Sequence, residues 1–196
     1  MDAVTERRSI RKYKEMPLDK EKINEIIRAA LLAPSAKNRQ PWKFIVYQGE
    51  AKKRLVAAME NGLDREKKGI TDLPGFAYGL PDASNTLKIM KEVPVLVAVL
   101  NTNGGTFYKE IGVEQRIVES CDSLSIGAAV ENMLLRATEL SVGSLWIANT
   151  CFAYNELVQE IGTGDQLTGV VALGYADEAP APRPRKAWDD VVEYRS

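Results

Sequence analysis

The stretch EQRIVESCDSLSIGAAVENMLLRATEL, Glu114 to Leu140, is the longest helical candidate and decides how the fold is organised. Its first half keeps apolar or small residues on one helical stripe, namely Ile117, Cys121, Leu124 and Ala128. From residue 124 to residue 135 apolar residues fall on most sides, and a helix that is apolar all round is a buried one. The sequence therefore predicts a core spine or a dimer interface over this stretch.

Helices and strands interleave on both sides of this stretch. Apolar, partly β-branched runs predict four strands, at 44–47, 95–100, 144–147 and 168–174. Helical periodicity predicts further helices at 19–31, 50–59, 84–92 and 155–161. Segments 61–83 and 101–113 are irregular, and we expect variable loops, a lid, or simple packing onto the surface there. Residues 176–196 form a proline-rich C-terminal arm. Because helices and strands interleave along the chain, the fold is predicted to be α/β or α+β.

Length and composition bound the class of protein. The 196 residues are 45% hydrophobic and 27% charged with a formal net charge of -1, which predicts one globular domain over 1–196. The near-neutral charge argues against a nucleic-acid surface, and no apolar run reaches the length of a membrane span. Residues 1–5 lack the apolar core of a signal peptide, so the default expectation is a cytoplasmic protein.

The sequence contains no histidine. Its absence excludes Ser-His-Asp, Cys-His and HExxH catalysis, and no phosphate-binding loop of the Walker type is present. Cys121 and Cys151 have neither zinc nor redox-pair spacing, so we expect two buried thiols and no metal site. An enzyme of this composition would take its reactive group from a cofactor.

Two basic clusters stand near the two ends of the chain. RRSIRKYK at 7–14 holds five cations in eight positions, and RPRK at 183–186 holds three more. Guanidinium groups match phosphate oxygens bidentately, and the hydroxyl of Ser9 adds a further donor. The two clusters either converge on one anionic ligand or form solvated surface, which is the ordinary explanation of a short basic run.

A polar loop, PSAKNRQPW at 34–42, joins a predicted helix to a predicted strand. The loop is rich in side-chain donors, and loops on a rigid scaffold commonly hold ligands. An ordinary helix-to-strand connection accounts for the same residues equally well. Local sequence alone therefore leaves the role of this loop open.

Four segments, in this order, resemble the FMN-dependent nitroreductase family. They are RRSIRKY at 7–13, PSAKNRQPW at 34–42, LSVGSLWIAN at 140–149 and GVVALGYADEAPAPRPRK at 169–186. The resemblance implies an α+β fold with a central mixed β-sheet flanked by helices. It also implies an intertwined homodimer that exchanges its C-terminal arms and holds two FMN molecules at the interface.

The resemblance also implies which residues bind the cofactor. Arg7 and Ser9 would serve the FMN phosphate and ribityl chain, and Arg11 would lie near the pyrimidine edge as an electrostatic tuner. The other implied contacts are Arg8, Pro34, Ser35, Ala36, Asn38, Gln40, Ile147, Ala148, Asn149, Arg183, Arg185 and Lys186. Pro34 to Ala36 would come from the partner chain, and Arg183 to Lys186 would clamp the phosphate. Some members have Glu-Gly where this chain has Ala148-Asn149, which changes the hydrogen bonding near flavin N5.

The implied activity is that of an NAD(P)H-dependent FMN oxidoreductase. NADH or NADPH would reduce the flavin, and a nitroaromatic, a quinone or a related electron-poor small molecule would follow it into the same pocket, giving ping-pong kinetics. The resemblance extends to reductive dehalogenases, flavin-destroying enzymes and peptide-azoline oxidases, and segments 61–83 and 101–113 would decide among these. The alternative from another class is a non-catalytic dimeric module that binds a polyanion or a protein through its basic ends.

Overall fold

The computed structural model describes residues 2–71 and 73–195, which form four β-strands and six α-helices. The strands are β1 (Trp42–Tyr47), β2 (Val95–Asn101), β3 (Gly143–Ile147) and β4 (Gln166–Gly174). The helices are α1 (Ala3–Glu6), α2 (Lys20–Leu31), α3 (Gly49–Lys67), α4 (Leu80–Glu92), α5 (Val113–Glu139) and α6 (Tyr154–Ile161). All four predicted strands and the long predicted helix are confirmed, and the chain is an α+β protein.

The four strands form one sheet in the order β1-β2-β4-β3, and every neighbouring pair is antiparallel. Within one copy of the chain, the paired strands are therefore all antiparallel, whereas a mixed sheet was expected. In the described residues, parallel pairing is confined to an isolated bridge between Ser9 and Ser144, because the N-terminal segment meets edge strand β3 only briefly. β2 and β4 occupy the centre, and β2 is buried along its whole length.

Helices cover both faces of the sheet. The side chains of β2 alternate, as in any strand, so Leu96 and Leu100 face one apolar layer while Val97 and Val99 face the other. The first layer is completed by α3, α4 and α6, and the second by α2 and α5. Complete burial of a Val or Leu side chain stabilises the fold by about 1.5–3 kcal/mol, so these two layers hold the strands in register.

Helix α5 divides into two halves of different surroundings. Its C-terminal half is buried against the sheet, with Val130 and Met133 fully inaccessible. Its N-terminal half leaves Val113, Ile117 and Leu124 exposed by 73%, 59% and 74%. The helix is thus a core spine over one half, and it presents an apolar stripe to the outside over the other. We call Val113, Ile117 and Leu124 the α5 stripe.

The segment 61–83 is largely helical, which corrects the expectation of an irregular lid. α3 continues to Lys67, α4 begins at Leu80, and Pro74–Gly79 forms a 3-10 turn between them. Gly62 lies inside α3, where an added side chain would overlap Ala153. Pro81 is tolerated because it stands in the first turn of α4, where backbone N–H groups lack intrahelical partners.

Smaller corrections concern the cysteines and the ends of helices. Cys121 and Cys151 are each partly exposed rather than buried, and Cys121 lies on the exposed half of α5. Leu31, placed by periodicity on the buried face of α2, is half exposed at the last residue of that helix. No helix among residues 2–71 and 73–195 has the length and apolar character needed to cross a membrane.

Segment 101–113 and the C-terminal arm lack regular structure over most of their length, as expected. In segment 101–113, the rings of Phe107 and Tyr108 lie 4.8 and 5.9 Å from the ring of Tyr154. The described part of the C-terminal arm is extended and mostly exposed, with one 3-10 turn at Trp188–Asp190. Neither segment contributes to the two core layers, apart from Ala176 at the base of the arm.

Candidate functional site

The basic segment 7–14 is fixed between edge strand β3 and the chain that follows β4. Ser9 bridges Ser144, and the backbone N–H of Ile10 donates to the Ser144 carbonyl at 2.9 Å. On the other side Tyr13 bridges Ala176. These contacts hold Arg11 at the edge of the sheet beside the end of β3.

Glu178 closes the same segment from the arm side. One oxygen, Oε1, accepts the backbone N–H of Arg11 and, at 3.1 Å, that of Lys12. The Tyr13 hydroxyl donates to the Ile10 carbonyl at 2.8 Å, and burial raises the pKa of Tyr13, so it remains a neutral donor. The backbone around Arg11 is therefore rigidly held while the Arg11 side chain is exposed.

Arg11 shares a cavity of about 360 Å³ with the three residues at the end of β3 that the sequence singled out. These are Ile147, Ala148 and Asn149. The opposite wall comes from α4 and includes Asp82 and Thr86. The structure therefore brings together two predicted groups that are far apart in the sequence.

The amide of Asn149 is oriented by α4. Its Nδ2 donates to Asp82 Oδ2 at 3.0 Å and to Thr86 Oγ1 at 2.9 Å. Its Oδ1 is buried and accepts no hydrogen bond from any described residue. Buried polar atoms are nearly always satisfied, so this oxygen is the natural acceptor for a donor on a ligand in the cavity. Asp82 and Thr86 were not predicted as site residues. Asp82 lies in segment 61–83, where the sequence predicts irregular structure, and Thr86 lies in the predicted helix 84–92 without any sign of a polar contact.

The first two arginines of the basic segment lie close to the helices. Arg7 Nε is 3.3 Å from Glu131 Oε1 on α5. Arg8 turns back on the chain, with Nη1 donating to the carbonyls of Thr5 at 2.8 Å and Arg7 at 2.9 Å. Arg7 is thus paired with Glu131 at the edge of α5, whereas Arg8 caps the end of α1.

The loop 34–40 has an unusual backbone. Lys37, Asn38 and Gln40 all adopt positive φ, at 54°, 53° and 49°. A non-glycine residue in this region costs on the order of 1–3 kcal/mol, and such conformations persist only where the surroundings impose them. The Ser35 hydroxyl accepts the Gln40 N–H at 3.0 Å, and Gln40 Nε2 donates to Asn38 Oδ1 at 3.2 Å. Pro34 and Asn38 are exposed.

Helix α5 supplies the contacts that hold this loop. The Ala36 N–H donates to Ser125 Oγ at 3.2 Å. Arg39 donates to Asp122 Oδ1 from Nε at 3.0 Å and from Nη2 at 2.6 Å. This carboxylate raises the pKa of Arg39, chiefly through the hydrogen bond. Arg39 and Asp122 were not predicted, because α5 carries several other acidic residues and no local pattern distinguishes Asp122 from them.

The second basic cluster does not join the first within one chain. Arg183, Arg185 and Lys186 are exposed, and Arg185 Nη1 donates to the carbonyls of Arg183 at 3.1 Å and Pro184 at 3.2 Å. Across the described residues no hydrogen bond or ion pair connects these side chains to 7–14. The expected convergence of the two clusters is therefore not made by a single copy of the chain.

Residues 4–175 match the model of the Nitroreductase family. The chain belongs to the nitroreductase family. This match covers the basic segment 7–14, the loop 34–40, helix α5 and the cavity at the end of β3. The described C-terminal arm beyond residue 175 lies outside it.

Similar proteins cover nearly the whole chain. "Putative NAD(P)H nitroreductase YfhC" of Bacillus subtilis (strain 168) is 26% identical over 187 residues, which are 94% of this chain and 88% of that protein. The solved structure of a nitroreductase-like family protein from Bacillus cereus has a TM-score of 0.75 and 24% identity, covering 99% of this chain and 94% of the other. A mutant of the FMN and NADPH-dependent nitroreductase NfnB from Sphigopyxis sp. strain HMH has a TM-score of 0.77 and 20% identity, with coverages of 99% and 97%. At such identities the two structures establish the shared fold.

Proposed function

We propose that this nitroreductase-family protein binds FMN and passes reducing equivalents from NADH or NADPH to an electron-poor small molecule such as a nitroaromatic or a quinone. The observation that carries the proposal is the cavity lined by both Arg11 and Asn149, whose side-chain oxygen Oδ1 is buried and unsatisfied. The names of similar proteins support the choice of cofactor and donor, since NfnB is called FMN and NADPH-dependent and YfhC an NAD(P)H nitroreductase.

The residues of the cavity fit the chemistry of a flavin. The pyrimidine end of FMN carries carbonyl and ring-nitrogen acceptors beside an N–H donor. Arg11 offers donors and a positive charge to the acceptors, and the buried Asn149 Oδ1 offers an acceptor to a donor. The phosphate suits the Ser9 hydroxyl and Arg7, which would exchange its ion pair with Glu131 for the phosphate. Arg8 is engaged with backbone carbonyls instead.

When bound, FMN supplies the redox chemistry by taking hydride from the reduced nicotinamide and delivering it to the acceptor. Arg11 would stabilise negative charge on the pyrimidine end of reduced FMN, and this would raise the reduction potential of the flavin. Ile147 and Ala148 line the same cavity and would lie beside the bound flavin. Because nicotinamide and acceptor would use one pocket in turn, we expect ping-pong kinetics.

We further propose that the working unit is a homodimer. The α5 stripe is apolar and exposed, and the basic residues of the arm do not reach 7–14 in one chain. In the dimer, Pro34, Ser35 and Ala36 of the partner would close the cavity, with Asn38 and Gln40 as flanking contacts. Arg183, Arg185 and Lys186 would complete the phosphate site that Arg7 and Ser9 begin.

The absorbance spectrum of the purified protein tests the proposal directly. Protein purified and mixed with FMN is expected to retain a yellow flavin spectrum after gel filtration, and to bleach when NADH or NADPH is added without oxygen. A colourless protein that fails to bind FMN would overturn the proposal. Salt-sensitive binding of a polyanion by such a colourless protein would favour the non-catalytic module instead.

Two substitutions test the phosphate assignment. Arg7→Ala and Arg185→Ala should each weaken FMN binding about tenfold, the effect of losing one charge-assisted contact of about 1.4 kcal/mol. Lys14→Ala is the matched control, since Lys14 is exposed in the same basic segment and should change FMN affinity less than about twofold. Unchanged affinity in both arginine variants would remove these two residues from the site.

A further inference from the structure

Asp122 is a buried carboxylate for which the proposed chemistry has no use. It lies on α5 with 1% of its side chain accessible. Its two oxygens serve different parts of the chain: Oδ1 accepts from Arg39, and Oδ2 accepts the Asn103 amide at 3.2 Å. A buried carboxylate is costly unless it is paired and hydrogen-bonded, and here both oxygens are used.

On the Oδ1 side, Asp122 holds the loop 34–40. The loop touches α5 at two points one helical turn apart, Ala36 on Ser125 and Arg39 on Asp122. Between these points lie the left-handed residues Lys37 and Asn38, whose conformation needs support from outside the loop. The ion pair is therefore placed to fix the shape of the loop.

On the Oδ2 side, Asp122 holds the beginning of segment 101–113. The Asn103 N–H donates to Asn101 Oδ1 at 3.1 Å, and Asn101 Nδ2 donates to Gln166 Oε1 at 3.2 Å. Asn101 and Gln166 are both buried, so Asn103 stands between the fixed end of β2 and Asp122. Beyond Asn103 the segment lines a cavity of about 610 Å³ with Phe107 and Tyr108.

We propose that Asp122 is a positioning residue that couples the loop 34–40 to the segment 101–113 only as their shared anchor, with each element held by its own carboxylate oxygen. The inference rests on the proposed function where it assigns the loop to FMN and the segment to the acceptor. Because each oxygen of Asp122 has its own partner, we expect substitutions of the two partners to have separate effects. Arg39→Ala should affect the loop, Asn103→Ala should affect the segment, and Asp122→Asn should affect both.

Hydrogen exchange on the flavin-free protein tests the coupling without reference to activity. Asp122→Asn should speed amide exchange about tenfold or more in both 36–40 and 103–107, while the central strands stay protected. Glu25→Gln is the control, because it removes an ion pair to Arg136 of the same helix and should leave both regions unchanged. Unchanged exchange in both regions, or a uniform increase across the chain, would overturn the proposal.

Binding and kinetics test the division of roles. Arg39→Ala should weaken FMN binding about tenfold, whereas Asn103→Ala should raise the acceptor KM severalfold and leave FMN affinity within about twofold. Asp122→Asn should do both; if it fails to fold, the two single-partner variants still decide the matter, since equal effects on both readouts would refute the division. If the wild-type protein binds no FMN, the proposed function fails, and the exchange experiment still judges the coupling.

Discussion

At the scale of single residues, Gly62 is required by its packing. An added Cβ would lie 2.3 Å from Ala153 Cβ and 2.4 Å from Ala153 Cα, far inside any contact distance. The neighbour is backbone, so it cannot rotate away. At Gly62, α3 packs against Ala153 in the 3-10 turn Asn149–Ala153 that follows β3, and Asn149 of this turn lines the candidate cavity.

Gly62→Ala should destabilise the protein despite the better helix propensity of alanine. The propensity gain is about 1 kcal/mol, whereas overpacking a well-packed contact costs about 1–3 kcal/mol and more where backbone must move. We therefore expect a net loss of about 1–2 kcal/mol in the free energy of unfolding, measured by urea denaturation.

Gly164→Ala serves as the matched control for this substitution. Gly164 is exposed, and an added Cβ meets nothing within 4 Å, so its free energy of unfolding should change by less than about 0.5 kcal/mol. Equal effects of the two substitutions would contradict the packing argument for Gly62.

At the scale of elements, the sequence predicts those parts whose periodicity is continuous. The strands and α5 are examples, because apolar runs and a long buried helix leave a local signature. Segment 61–83 was read wrongly because its glycines and prolines indicate irregular structure locally, while the contact that requires Gly62 comes from Ala153. Periodicity also could not separate the two halves of α5, since exposure depends on what packs against the helix.

The residues of the candidate site were likewise predicted only where the sequence carries a local pattern. Arg11 and the end of β3 were predicted from motifs, and the structure places them around one cavity. Asp82 and Asp122 were missed because each meets its partner across a long stretch of chain, Asp82 with Asn149 and Asp122 with Arg39. Neither a charge pattern nor a spacing rule carries information about such contacts.

Glu178 is the side-chain acceptor that joins the arm to the basic segment, and its contribution can be tested. Glu178→Ala removes the oxygen that accepts the N–H groups of Arg11 and Lys12. Because the site is exposed, we expect a loss of only about 1 kcal/mol in overall stability. The amides of Arg11 and Lys12 should nevertheless exchange clearly faster, as measured by NMR.

Glu178→Gln is the control for this element, since the amide keeps an oxygen in the accepting position. It should preserve slow exchange at both amides. If Glu178→Ala leaves their exchange as slow as in the wild type, the backbone contacts hold the arm there without Glu178, namely the bridge between Tyr13 and Ala176 and the Asp177 N–H that donates to the Lys12 carbonyl.

At the scale of the whole molecule, the charge and apolar patterns are both compatible with the proposed homodimer. A net charge of -1 leaves no long-range repulsion between copies, and the α5 stripe exposes apolar surface on the helix that also holds the loop 34–40. Apolar burial drives most protein association. A partner seated on this stripe would bring its own loop toward the first chain.

Leu124→Glu should therefore separate the proposed dimer. The substitution removes the burial of a leucine and places an unpaired charge in the interface, so the dimer dissociation constant should rise by at least about 100-fold, or about 2.7 kcal/mol. Ile70→Glu adds the same charge at another exposed apolar residue, 63% accessible and outside α5, and should leave the dimer intact. Sedimentation velocity at several concentrations distinguishes the two variants.

FMN affinity should fall together with dimerisation in Leu124→Glu, because the proposed site needs Pro34 to Ala36 from the partner. A monomer that still binds FMN tightly would show that one chain makes the site alone.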